Sequence, residues 1–160
     1  MTDDVLRALA DGPRHLLRDL GKSPAPSTTG LYALWHQGAL LYVGMVRVDP
    51  RETTNKQADG IRGRLNTYRR CRLASDFALG CAIRYVIPTF TPDDLSGLGT
   101  GTISMRDVQG RVRDWVWANV EFSTASTLDG RTAGLAETVG RSIGLPGFGP
   151  PAFNPILPRA

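Results

Sequence analysis

The sequence has 160 residues, the length of one domain at roughly 150 residues each, and a chain of this size buries enough surface for a core without disulfides or metals. At 41% hydrophobic and 21% charged residues it has an ordinary globular composition, which excludes collagen-like, coiled-coil and wholly disordered chains. No apolar run reaches the roughly 18 residues of a membrane span. Met1-Thr2-Asp3-Asp4 places acids where a secretory signal is basic and then apolar. Cys71 and Cys81 form no Cys-x-x-Cys pair, and the only histidines are His15 and His36. The expectation is a cytoplasmic protein with reduced thiols, no zinc site and no membrane partner.

The formal net charge is +4, and 17 of the 19 basic residues are arginine, Lys22 and Lys56 being the others. Arginine presents a planar fork that suits phosphate, although a GC-rich genome gives the same bias without function. The clustering is more specific. Arg62, Arg64, Arg69, Arg70 and Arg72 fall within eleven residues, and no acid occurs between Asp59 and Asp76. Such a block is either a phosphate-binding surface or a solvated helix face.

Residues 2–20 read as helical, with Thr2 as N-cap and a break at Asp11-Gly12-Pro13. A second short helix is predicted from Pro13 to Leu20, ending at Gly21. Lys22 to Thr29 reads as a linker. Gly30 to Trp35 and Ala39 to Gly44, joined across Gln37-Gly38, carry the pattern of a β-hairpin. The polar stretch 46–60 reads as a loop. Ile61 to Leu73 returns to a helical period through Ile61, Leu65 and Tyr68, and places Arg64 and Tyr68 four residues apart on one side. A strand is predicted over 81–87 and a surface excursion over 91–102. Ser104 and Asp107 resemble a capping box that opens a helix to about Arg113, and 115–122 alternates as a strand. The last helix, about 130–143, is expected to be capped by Ser126 with Asp129 and to bury Leu135, Val139 and Ile143. The tail 144–160 holds five prolines and three glycines.

Four of these features occur in the order found in one known family. Gly30-Leu31-Tyr32 followed by Leu41-Tyr42-Val43-Gly44 resembles the paired motifs that name the GIY-YIG nucleases, and Arg62-Gly63-Arg64-Leu65-Asn66-Thr67-Tyr68 is similar to the helix that carries the family's arginine. Glu137 on a later helix and Phe153-Asn154-Pro155 resemble its metal-binding glutamate and closing asparagine. The likeness runs from Gly30 to Pro155 and is strongest to the nuclease domain of the UvrC repair protein and to compact restriction endonucleases. The chain departs from the pattern in a longer loop between Gly44 and Arg64, in Met45 where many members carry a basic residue, and in an apparent insertion near 89–113.

The resemblance implies an α+β fold, a small mostly antiparallel β-sheet flanked by helices. It divides the chain into an N-terminal helical arm and linker, 1–29, and a nuclease domain, 30–160. It implies hydrolysis of DNA phosphodiester bonds, with one Mg²⁺ or Mn²⁺ held by Glu137 to polarise the phosphate and stabilise the leaving oxygen. Tyr32 would orient or deprotonate the attacking water. Tyr42 would hold water or phosphate, Arg64 the scissile phosphate, and Tyr68 would support the same face. Arg62, Arg69, Arg70, Arg72 and Asn154 would contact DNA, the loop 46–60 and the insertion would recognise it, and a symmetric cut would require a homodimer. The residue types alone also allow a nucleic-acid-binding module that does not cut. Met45 leaves room for that module, and the presence together of Tyr32, Tyr42, Arg64 and Glu137 argues against it. Taken singly, Tyr32 and Tyr42 also read as sheet packing, Arg64 as a solvated helix arginine, Glu137 as a partner of Arg141, and Asn154 as a turn residue.

Overall fold

The computed structural model describes residues 2–22, 25–48 and 59–156. Four strands form one antiparallel sheet: β1 (His15–Leu16), β2 (Gly30–His36), β3 (Ala39–Val46) and β4 (Glu121–Ser126), in the spatial order β1-β4-β2-β3. The hairpin pairs Gly30 with Val46 and His36 with Ala39, and it turns through Gln37 and Gly38, both at positive φ. With helices on both sides, the architecture is the expected α+β class.

Every residue of β2 from Gly30 to Trp35 is buried, because both faces of this central strand are covered. Leu31, Ala33 and Trp35 face α1 (Thr2–Asp11) and α6 (Gly130–Ser142), and pack with Leu6, Leu9, Ala133 and Ala136. Tyr32 and Leu34 face α2 (Gly60–Arg69) and α5 (Met105–Asn119), and pack with Ile61, Leu65, Val112 and Val116. The β2–β3 register shifts between Leu34, opposite Tyr42, and Trp35, opposite Leu40, which leaves Leu41 as an extra residue. This bulge turns consecutive Leu41 and Tyr42 toward the α2 side, where unbroken alternation would have sent one of them away.

Several predicted elements are corrected. Pro13 does not open a helix: His15–Leu16 is a short strand on β4 and Leu17–Lys22 a 3-10 turn. The N-terminal segment packs into the fold, with Leu6, Leu9, Leu17 and Leu20 all buried. Helix α2 stops at Arg69, not Leu73, because Cys71 takes a left-handed φ of 48°. Residues 81–87 are helical. Helix α3 (Asp76–Cys81), capped by Ser75, runs into a π-turn at Ala82–Val86 and a 3-10 turn at Ile87–Thr89, burying Phe77, Ala78, Cys81, Ala82 and Val86. The supposed excursion contains α4 (Pro92–Thr100), opened by a Thr91/Asp94 capping box and tied to α5 by the Arg111–Asp94 pair at 2.7 Å.

The Ser104/Asp107 capping box is present, but α5 continues to Asn119, so Trp115 and Trp117 are helical and the strand lies at 121–126. The four-residue spacing of buried Val108, Val112 and Val116 outweighs the local alternation around Trp115. On α6 the buried residues are Thr132, Ala133, Ala136 and Gly140, while Leu135 and Ile143 are 55% and 72% exposed. Asp129 alone caps that helix, accepting from the Thr132 N–H at 2.7 Å, and Ser126 instead bonds Thr28. Most of the predicted loop 46–60, and residues 157–160 of the tail, lie outside the described residues.

Candidate active site

Tyr32, Tyr42 and Tyr68 meet beneath α2 although they come from three elements. The Tyr32 and Tyr68 hydroxyls are 2.9 Å apart. The ring centroids of Tyr32 and Tyr42 lie 6.4 Å apart and nearly parallel, and Tyr68 sits 5.6 and 5.4 Å from them. Phe77 closes the apolar side of the cluster against Tyr42 and Tyr68. Helical spacing brings Arg64 over it from the solvent side, with its Cζ 5.8 Å from the Tyr68 ring and its guanidinium engaging the Tyr32 hydroxyl.

The second motif's glycine has a steric reason. A Cβ on Gly44 would sit 2.2 Å from the Tyr32 hydroxyl oxygen and 2.4 Å from the ring carbon that bears it. Only glycine lets that hydroxyl lie against β3.

Burial pushes the Tyr32 hydroxyl up to about 12, with the bond to Tyr68 and the charge of Arg64 acting the other way. Burial likewise raises Tyr42 and Tyr68 above the ordinary phenol value. All three are neutral hydroxyls at pH 7. Tyr32 is 1% exposed, so its hydroxyl lies under the surface, whereas Tyr42 is half-buried and Arg64 is exposed. The solvent-facing chemistry therefore belongs to Tyr42 and Arg64, with Tyr32 behind them.

Glu137 reaches the same region from α6. Desolvation raises its carboxyl, opposed by Arg141, by the Met45 backbone N–H at the end of β3 and by Arg64. The carboxylate lies 3.8 Å from Arg141 at the i+4 position, so the ion pair foreseen from spacing exists, though it is loose. Among the described residues no group of three or more His, Cys, Asp or Glu side chains converges. A single hard carboxylate fits Mg²⁺ or Mn²⁺ held otherwise by waters and phosphate oxygens, and does not fit a closed protein cage.

The outer residues divide. Asn154 Oδ1 accepts from the Val43 N–H at 3.2 Å and Nδ2 donates to the Val43 carbonyl at 2.6 Å, so its amide fastens the tail to β3 beside Tyr42 rather than standing free for DNA. Arg62 donates to the carbonyls of Ala25 and Leu20 at 3.1 and 3.2 Å, which makes it an anchor for the N-terminal segment. Arg69 lines a hollow of about 260 Å³ with Arg62 and Asn66, and Arg70 and Arg72 are exposed. Arg141 was not foreseen beyond its ion pair. It donates to the Asn154 carbonyl at 2.9 Å and so links the glutamate helix to the tail.

No family model, curated protein or solved structure matches the chain. Among the described residues no helix is long and apolar enough to cross a membrane.

Proposed function

We propose that the protein is a metal-dependent endonuclease of the GIY-YIG type, hydrolysing DNA phosphodiester bonds at the Tyr32, Tyr42, Arg64, Tyr68, Glu137 cluster. The observation that carries this reading is convergence. Three hydroxyls from β2, β3 and α2 cluster beneath the exposed Arg64 guanidinium, and the half-buried Glu137 carboxylate on α6 lies within range of that charge. Phosphodiester hydrolysis needs a positioned nucleophile, compensation of charge on the phosphoryl oxygens and help for the leaving oxygen.

Arg64 supplies fixed positive charge to the phosphoryl oxygens. Tyr42 orients water or phosphate at the surface, and Tyr32 holds Arg64 and Tyr68 in place from beneath. Glu137 would hold the divalent ion, which when bound supplies Lewis acidity at the scissile phosphate and the leaving oxygen. A restriction or defence enzyme is the setting we propose for this activity, and a homodimer would place two such sites on the two strands. The buried free thiols Cys71 and Cys81 accord with a reducing cytoplasm.

A second reading is a nucleic-acid-binding module on the same scaffold that does not cut. It is favoured by burial, which moves the tyrosine hydroxyls further from ionisation than an ordinary phenol, and by the Arg141 contact to Glu137. One experiment separates them: supercoiled plasmid incubated with wild type and Glu137→Gln, with and without Mg²⁺ or Mn²⁺. Metal-dependent cleavage lost in Glu137→Gln, with DNA binding retained, is the expected result. Cleavage undiminished in the variant removes Glu137 from the mechanism, and binding without cleavage by either protein selects the inert module.

A further inference from the structure

We propose that a second basic surface, built by α5 and the turn after α2, docks the backbone of double-stranded DNA beside the cluster. The inference rests on the DNA reading above and extends it to residues outside the site. On α5, Arg106, Gln109, Arg113 and Trp117 recur at three- and four-residue intervals and share one stripe. The turn after α2 lies against it: Gln109 Oε1 accepts from the Leu73 N–H at 3.4 Å and Trp117 Nε1 donates to the Arg69 carbonyl at 2.9 Å. Arg72 and Arg106 thereby line one hollow of about 450 Å³. Arg113 lies over the Trp117 ring, its Cζ 5.4 Å from the centroid, and Arg70 is exposed at the C-terminal cap of α2.

Two carboxylates adjoin these cations and leave an excess of positive charge. Asp107 accepts from the Ser104 N–H and hydroxyl at 2.8 and 2.6 Å as the capping partner of α5. Asp114 reaches Arg113 at 3.5 Å in an exposed pair, which a phosphate would displace at little cost. A row of forks on a rigid helix is suited to phosphate oxygens. Arg106 and Arg113 are seven residues apart, about 10.5 Å along the helix, or roughly three base steps of 3.4 Å. Duplex rather than single strand is the substrate of the reading on which this surface rests, and it matches a row of cations held on one rigid helix. Trp117 is 39% exposed, and with its Nε1 held by the Arg69 carbonyl and Arg113 over one side of its ring it braces that cation.

The test is the salt dependence of binding to a labelled duplex of about 20 base pairs, followed by fluorescence anisotropy in chelator so that no cleavage is read. Each phosphate contact contributes about 0.9 to the slope of log affinity against log salt. Arg106→Gln with Arg113→Gln is expected to flatten the slope by about 2 and to weaken binding tenfold or more at 0.1 M salt. Trp117→Phe, which keeps both charges, is expected to weaken binding with the slope nearly unchanged, and Arg7→Gln on α1, across the sheet, to alter neither. These are surface changes, and unaltered melting temperatures establish that the fold is intact. A wild-type slope in the double variant overturns the docking surface and leaves the nuclease reading standing. Wild type that binds no duplex at any salt overturns both, and tighter binding to a single strand of equal length overturns the duplex assignment.

Discussion

The two faces of β2 bury polar groups three residues apart and treat them differently. On the α1 side, Trp35 Nε1 donates to Ser123 Oγ at 2.9 Å, and that hydroxyl donates to the Leu9 carbonyl at 2.7 Å. Donor and acceptor are matched at each step and the chain ends in backbone, so this network only holds α1 to the sheet. On the α2 side, the Tyr32 hydroxyl meets Tyr68, and the network continues outward to exposed Arg64 and half-buried Tyr42. One network closes on itself and the other opens to solvent. Burial alone does not mark a site; a buried polar chain that surfaces at a charged side chain does.

Breaking the open network from beneath is expected to have the largest effect. Gly44→Ala places a methyl group 2.2 Å from the Tyr32 oxygen, so either the ring or β3 must move. Overpacking of this kind costs about 1–3 kcal/mol. Displacement of Tyr32, Tyr68 and Arg64 together is expected to reduce plasmid cleavage below detection, read beside a thermal melt. Full activity in Gly44→Ala would show that the contact between Tyr32 and β3 has no part in the reaction.

That steric relation explains why the hairpin was legible in the sequence and much of the helical layer was not. Gly30-Leu31-Tyr32 and Tyr42-Val43-Gly44 encode strand alternation, a turn and a close approach, all local properties. Arg64 with Tyr68, and Glu137 with Arg141, followed from helical spacing alone. The bulge at Leu41 has no local signature, because it is imposed by the packing of Leu41 and Tyr42 on one face. Residues 81–87 carry β-branched and aromatic side chains, yet the Ser75 cap and the inward positions of Phe77, Cys81 and Val86 make them helical, with Ile83 turned outward at 60% exposure. Asn154 and Arg62 read as nucleic-acid ligands because a sequence shows donor types and not the carbonyls that occupy them.

Single-atom deletions sharpen the comparison at smaller cost. Ser123→Ala leaves the Trp35 indole N–H and the Leu9 carbonyl without their partner in a dry interior, and should lower stability by about 2–4 kcal/mol. Per folded molecule, DNA cleavage should be unchanged. Tyr32→Phe removes one hydroxyl whose partner keeps Arg64 and Tyr42 nearby, so stability should fall by only about 1 kcal/mol. Cleavage in that variant should fall on the order of a hundredfold, the effect typical of a lost positioned polar group in a reaction centre. Denaturant titrations paired with cleavage rates check both. An equal loss of activity in the two variants would erase the distinction between the closed and open networks.

The finest discrimination comes from alkaline pH. The folded Tyr32 hydroxyl ionises at about 12, against 10.0 for an ordinary tyrosine. Between these values the unfolded chain has released a proton that the folded chain still holds, so unfolding is favoured as pH rises. The stabilisation is fully present below pH 10.0 and is lost toward pH 12. One such group contributes a limiting slope of about 1.4 kcal/mol per pH unit. Burial also raises Tyr42, Tyr68, Cys71 and Cys81, and these add to the same alkaline loss, Tyr68 in part through its bond to Tyr32. The difference between wild type and Tyr32→Phe therefore reports Tyr32 together with its coupling to Tyr68. Urea midpoints across this range should converge as pH increases and then cross, because wild type starts only about 1 kcal/mol ahead and loses about 1.4 kcal/mol per pH unit through the extra proton linkage. Parallel curves would mean that Tyr32 ionises as an ordinary surface phenol, and the open network would then have no desolvated hydroxyl at its base.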